Sequence, residues 1–227
     1  MRIFAGMDTM TLQSLSVCML FNGVSPMETE LLLEGVGYRL VHYDRNDLFR
    51  MAGDPCLYAD IVVSGELLCR MTSLSGKQIE VSRLTKGEII SPAFIFAQDK
   101  RMPVTVEATK KSTILRLQPQ SLKQLIDNHE TIRMNFIGIL SNIDVFLTRK
   151  MKVLSLFTVR EKVGYMLLEE LGKQNNPTIM LDQSRQHIAN RFGIQKYSLL
   201  RVLSEMEKSG IIAIEGKAIT VLDRSRL

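Results

Sequence analysis

The chain has 227 residues, 45% of them hydrophobic and 23% charged, and a net charge of +5, a length that points to two ordinary domains rather than one large one. Its longest apolar runs, 137–140 and 153–157 broken by Ser155, fall far short of the roughly 20 residues that span a bilayer. The opening MRIFAGMDTM carries Asp8 and no long apolar core behind its one arginine, so it does not read as a secretion signal, and a soluble cytoplasmic protein without a membrane partner is expected.

Early in the chain, residues 25–35 combine Ser25, Pro26, acidic residues and a leucine run, the marks of a short capped helix. Residues 36–117 then read as short strands: YRLVHY, DIVVSGELLCRM, KQIEVSRL, VTVEAT and TILRLQ. They are broken at Gly53-Asp54-Pro55, Ser75-Gly76 and Lys86-Gly87. Short strands with regular glycine turns suggest an antiparallel sandwich or roll.

A long helical stretch follows, from Gln120 to about Ser155. Within it Ile132, Phe136, Ile139, Ile143, Phe146, Lys150 and Val153 recur at alternating spacings of four and three, and six of the seven are apolar. This is a heptad seam and is read as a dimer interface, with Ile132, Phe136, Ile139, Ile143 and Phe146 at its centre. The alternative is a helix packed one-sidedly on its own domain. Thr158 and Glu161 form a T-x-x-E capping box that starts a fresh helix through Leu171, which Gly172 is expected to end.

Beyond the loop NNPT come a short strand IML, a helix from Ser184, a second helix from Gln195, and IIAIEGKAITVL, which alternates around Glu215-Gly216-Lys217 as a hairpin with a basic tip. Helix, helix, hairpin is a winged-helix plan. Ala189 lets the two helices cross closely, and Gly193 can take the left-handed turn between them. Ile188, Phe192, Ile194, Leu199, Val202 and Leu203 supply the shared core. The expected fold is therefore α+β: a β-roll sensor domain over residues 1–127, a dimerisation helix over 128–155 and a winged-helix domain over 156–227.

The last third is also the basic part, since 151–227 holds twelve Lys and Arg against eight Asp and Glu, or +4 of the +5. This bias is consistent with nucleic acid. If the second helix enters a major groove, Gln195, Lys196, Tyr197, Ser198 and Arg201 face the base edges. Lys196 and Arg201 can donate to guanine, Gln195 can pair with adenine, and Tyr197 offers a ring edge to a thymine methyl; each could equally reach a phosphate. Phosphate contacts are assigned to Ser184, Arg185 and Gln186 at the first helix's start and to Lys217 on the wing.

SRQHIANRFGIQKYSLLRVLSEMEKSGII resembles the DNA-binding signature of the Crp/Fnr family of bacterial transcription regulators, and GDPCLYADIVVSGELLCRMTSLSGKQIEVSRLTKGEII resembles that family's cyclic-nucleotide-binding type β-roll. The likeness covers about residues 36–222. It implies a homodimer on duplex DNA, with recognition helices in successive major grooves of a pseudo-palindromic site, and promoter control through RNA polymerase.

The sequence departs from the family pattern in informative places. Tyr197 stands where many members carry a glutamate, Lys196 where they carry an arginine, and His187 where an acid commonly closes the capping box with Ser184. In cyclic-AMP-binding relatives a glutamate takes the ribose hydroxyl and an arginine-serine pair the phosphate; here those positions are Pro92 and Met102-Pro103. Met102, Val104, Val106 and Ala108 keep one period-2 face, so Arg101 is expected to point the other way. The remaining pocket candidates, Ile90, Ser91, Pro92, Phe94, Phe96, Met102 and Pro103, predict an apolar or closed site, and an effector other than cyclic AMP or none.

Other chemistry finds little support. Cys18, Cys56 and Cys69 form no CxxC pair and are expected as buried reduced thiols, and the four close cysteines of the oxygen-sensing branch are not there. A haem would need His42, His129 or a cysteine as axial ligand, and no cofactor is predicted. Three histidines without an HxH argue against a cupin-like metalloenzyme, so no enzyme is expected. The winged helix argues against the other alternative, a cyclic-nucleotide-binding module acting on a protein partner.

Overall fold

The computed structural model describes residues 7–74, 76, 78–174 and 176–227. The first six residues, part of the opening segment considered above as a leader, lie outside them. So do Ser75 of the expected turn, Lys77 of the expected strand and Asn175 of the loop. The chain divides into two compact units, one formed by residues up to Met71 together with Val81–Val145, the other by Thr72–Glu80 and Phe146–Leu227.

The first unit opens with two capped helices. Asp8 accepts from the Thr11 amide at 2.9 Å ahead of α1 (Thr9–Leu15), and Ser25 accepts from the Glu28 amide at 3.2 Å ahead of α2 (Pro26–Val36). The strands are β1 (Arg39–Tyr43), β2 (Leu48–Arg50), β3 (Ala59–Ser64), β4 (Leu67–Thr72), β5 (Gln78–Leu84), β6 (Ile89–Ile90), β7 (Thr105–Ala108) and β8 (Ser112–Leu117), with a short helix α3 (Pro92–Ile95) after β6. They form two four-stranded sheets, ordered β1-β8-β3-β6 and β2-β7-β4-β5. This is the expected jelly-roll.

The roll corrects the reading of DIVVSGELLCRM as a single strand. At Gly65 the backbone takes φ +91°, and a Cβ there would lie 2.1 Å from Ser112 Oγ and 2.5 Å from the Lys111 carbonyl oxygen. Only glycine fits, so the chain turns and β3 and β4 enter different sheets. The core between the sheets is aliphatic, with Ile61, Leu67, Ile95, Ile114 and Leu115 essentially without solvent contact. One ion pair is buried beside it: Asp60 and Arg116 face each other across β3 and β8, with Arg116 Nε and Nη2 donating to the carboxylate at 2.6 and 2.9 Å. The Arg116 guanidinium also lies 4.6 Å from the Tyr58 ring centre.

The stretch from Gln120 to Ser155 is two helices, α4 (Pro119–Asn128) and α5 (Glu130–Leu156), parted by an extended His129 at φ −129° and ψ 110°. Asp127, Asn128 and His129 are weak helix formers in succession, which places the break. The heptad seam needs a correction at its start. Ile132 is 0% and Phe136 6% exposed, both within the roll's own core, and Ile139 packs against that core. Phe136 meets Phe96 edge to face at 6.0 Å. Ile132 and Phe136 are thus taken up by the roll, as one-sided packing would have it, while Ile139 is only partly covered.

In the second unit α6 (Val159–Gln174) begins at a complete capping box: the Thr158 amide donates to Glu161 Oε2 at 2.7 Å, and the Glu161 amide to Thr158 Oγ1 at 3.2 Å. The helix continues through Gly172 instead of ending there, because that glycine keeps helical geometry. It is followed by β9 (Thr178–Met180), α7 (Arg185–Arg191), α8 (Lys196–Lys208), β10 (Ile212–Glu215) and β11 (Ala218–Val221), with the three strands ordered β10-β11-β9. Val163, Leu167, Ile188, Ala189, Phe192, Leu199, Leu203 and Met206 share one core.

Lys150, largely buried, donates to the Glu80 carbonyl at 2.6 Å. Burial, aided by the charge of Arg191, pulls its ammonium down to about 8 from 10.5. The folded unit thus holds fewer protons than the unfolded chain between these values, so this residue's contribution to stability rises with pH across that window. Urea denaturation at pH 7.5 and pH 10 is expected to show wild type gaining stability relative to Lys150→Met as pH rises; an unchanged difference would contradict the assignment.

Candidate nucleic-acid interface

Two short helices and their turn build the site. Ser184 caps α7 by accepting from the His187 amide at 3.2 Å. The chain then reverses at Gly193, φ +61°, where the Ile194 amide returns to the Ala189 carbonyl at 3.0 Å. Ala189, at 0% exposure, lies in the core that the two helices share. Gln195 precedes α8 with no side-chain cap, so its amide group stays outward.

α8 is strongly two-faced. Leu199, Val202, Leu203 and Met206 are buried, whereas Gln195, Lys196, Tyr197 and Arg201 are exposed, Tyr197 at 75%. Of the five candidate base readers only Ser198 turns partly inward. Arg201 Nε lies 3.8 Å from Glu205 one turn on, a loose surface pair that leaves the guanidinium available. The sequence reading passed over Leu200, which is 42% exposed on the flank of this face. Its signal was available: it lies off the 199, 202, 203, 206 stripe.

The candidate phosphate contacts divide. Ser184, Gln186 and Lys217 are exposed, Lys217 at the tip of the β10–β11 hairpin. Arg185 is half-buried: its Nη2 donates to the Gly216 carbonyl at 3.4 Å, tying α7 to the wing, while its Nη1 is buried without a partner. Burial holds its guanidinium below the ordinary value. His187, which stands where an acid commonly closes the cap with Ser184, places Nε2 3.1 Å from the carboxylate of Glu80.

In the roll, Met102, Val104, Val106 and Ala108 are buried on one side while Arg101 points out and pairs with Asp99 at 2.8 Å, the strand phase expected. A cavity of about 10 Å³, room for a single water, is lined by Phe49, Arg50, Cys56, Leu57, Tyr58, Asp60, Ile90 and Met102. Ile90 and Met102 thus come together, whereas Ser91, Pro92, Phe94, Phe96 and Pro103 are not part of its wall, and Phe96 is 45% exposed. The lining is also not purely apolar, since Arg50 and Asp60 belong to it. Cys18, Cys56 and Cys69 are buried, and burial pushes the Cys18 thiol up to about 11. Among the described residues no group of His, Cys, Asp and Glu could hold a metal ion, and no helix is long and apolar enough to cross a membrane.

A jelly-roll followed by a long helix and a winged helix-turn-helix with a basic outer face defines a two-domain DNA-binding regulator. Family models agree: residues 40–129 match the cyclic nucleotide-binding domain and residues 161–227 the Crp-like helix-turn-helix domain. The chain belongs to the Crp/Fnr family of transcription regulators. It is 22% identical over 165 residues to the cAMP-activated global transcriptional regulator CRP of Salmonella typhimurium, covering 70% of this chain and 78% of that one. Among solved structures it is similar to a CooA mutant from Carboxydothermus hydrogenoformans, with TM-score 0.72, 15% identity and coverage of 95% and 96%. The c-di-GMP responsive regulator CLP of Xanthomonas campestris gives TM-score 0.67, 18% identity and coverage of 81% and 93%. FixK2 from Bradyrhizobium japonicum gives 0.63, 18%, and 84% and 95%. These likenesses are in fold.

Proposed function

We propose that this chain acts in the cytoplasm as a homodimeric, non-enzymatic transcription regulator, reading a pseudo-palindromic duplex with α8 and acting on RNA polymerase at a promoter. The observation that carries the reading is the outer face of α8, where Gln195, Lys196, Tyr197 and Arg201 are all exposed above a fully apolar inner face. Lys196 and Arg201 donate to base edges, and Tyr197 in place of the family's frequent glutamate moves the preferred half-site away from the usual one. Ser184, Gln186 and Lys217 hold the backbone, and Arg185 joins them at the start of α7.

Dimerisation is assigned to α5, through the face opposite the roll. Met134 at 57%, Ile137 at 48% and Val145 at 55% exposure share that face with the small Ser141 between them. Two of the relatives are named for their signals, cyclic AMP and c-di-GMP. For this roll a cyclic phosphate is disfavoured: Met102 stands where the paired cation would be, Arg101 points away, and the cavity holds about 10 Å³. The effector is a smaller or less polar molecule, or regulation works without one.

The test is selection from a random duplex library. With Arg201→Ala the preference is expected to relax at one base position per half-site, at a cost of about 1 to 3 kcal/mol, while Arg185→Ala weakens all sequences alike. Recovery of the wild-type motif unchanged with Arg201→Ala would refute the assignment.

A further inference from the structure

We propose that Leu200 is a further specificity-determining residue of α8, seating its methyl groups against the C5-methyl of a thymine in each half-site. The inference rests on α8 being the element that enters the major groove. Leu199, the neighbour of Leu200 in the chain, is 1% exposed and belongs to the core, and a step of 100° around the helix takes Leu200 off that core to 42% exposure. It is a branched aliphatic chain set among donors: Lys196 lies one turn before it, Tyr197 three residues before, Arg201 beside it and Ser204 one turn after.

Direction strengthens the case. Helical side chains lean toward the helix N-terminus, so Leu200 covers the turn that carries Lys196 and Tyr197, the end that goes deepest into a groove. Its methyls, the Lys196 stem and the edge of the Tyr197 ring then form an apolar strip within a cationic surface. In the major groove thymine alone among the bases presents a methyl group. A cytosine or adenine amino group at the same place would be desolvated against an aliphatic chain without an acceptor, which disfavours those bases. A phosphate offers Leu200 nothing, and a deoxyribose contact would not distinguish bases.

The experiment uses the full-length protein and the duplex it selects from a random library, with each thymine replaced singly by uracil, which lacks only the methyl. Wild type is expected to lose about fourfold in affinity at one thymine per half-site through Leu200, the worth of one buried methyl. Leu200→Ala is expected to bind the thymine and uracil duplexes alike at that position. It keeps any uracil penalty at a thymine read by Tyr197 and, being a surface substitution, keeps the wild-type melting temperature. If wild type is indifferent to every uracil, or if Leu200→Ala shows the same penalties as wild type, the proposal is overturned. Failure of wild type to select any duplex would overturn the α8 reading itself along with it.

Discussion

Arg116→Met is expected to destabilise the roll by about 3 to 5 kcal/mol, because it leaves the Asp60 carboxylate buried without its partner. Asp60 is 5% exposed and Arg116 7%, and their two bonds of 2.6 and 2.9 Å are the carboxylate's main compensation for lost water. Burial already lifts the Asp60 carboxyl above its ordinary value, against the hydrogen bond and charge of Arg116. Without Arg116 that upward shift grows. A carboxyl raised in the folded state binds its proton there more tightly than in the unfolded chain, so its contribution to stability declines as pH rises through the window between the two values. Urea denaturation should therefore show a larger deficit for Arg116→Met at pH 8 than at pH 5. The double variant Asp60→Leu with Arg116→Met should recover much of the loss. An equal deficit at both pH values, or no recovery, would contradict the account of this pair.

The second large effect concerns assembly. Ile137→Glu, on the exposed face of α5, is expected to convert a dimer into a folded monomer and to lower affinity for a two-half-site duplex by about 10² to 10⁴, since binding at the second half-site then ceases to be intramolecular. Phe136→Glu, one residue away, should behave differently. Phe136 is 6% exposed in the roll's core against Phe96, so a charge there unfolds the unit. Sedimentation and thermal melts separate the two outcomes. A dimeric Ile137→Glu protein, or a folded monomeric Phe136→Glu protein, would place the interface back on the seam first read from the sequence.

That contrast shows where sequence patterning stopped being informative. Spacings of three and four residues identify an apolar stripe on a helix, yet α5 has two such stripes, and which one faces the roll depends on elements earlier in the chain, such as the segment carrying Phe96. The local signals were legible for a local reason. Thr158 with Glu161, Ser184 before α7, and Gly193 between α7 and α8 act through hydrogen bonds and dihedrals within a few residues of themselves, and each appears where its chemistry places it. Gly65 was misread because its need for glycine comes from Lys111 and Ser112, more than 45 residues away. The Asp60–Arg116 pair likewise depends on the β3–β8 register, and the burial of Arg185 on the position of the wing. On α8 the exposed donors followed from the helix period, while Leu200 was assigned neither to the core nor to the reading face.

The most direct measurement is the affinity of the full-length dimer for its library-selected duplex as salt rises from about 50 to 300 mM. Neutralisation of phosphates by Arg185 and Lys217 in both protomers releases counterions, so log affinity should fall linearly with log salt, with a slope several units negative. Lys217→Ala should make the slope less steep by about one unit for each phosphate that this lysine neutralises, and Arg201→Ala should change the selected sequence. Salt-independent binding, or no preference for any duplex over random DNA, would contradict the assignment of α8 and the wing as a DNA-reading surface.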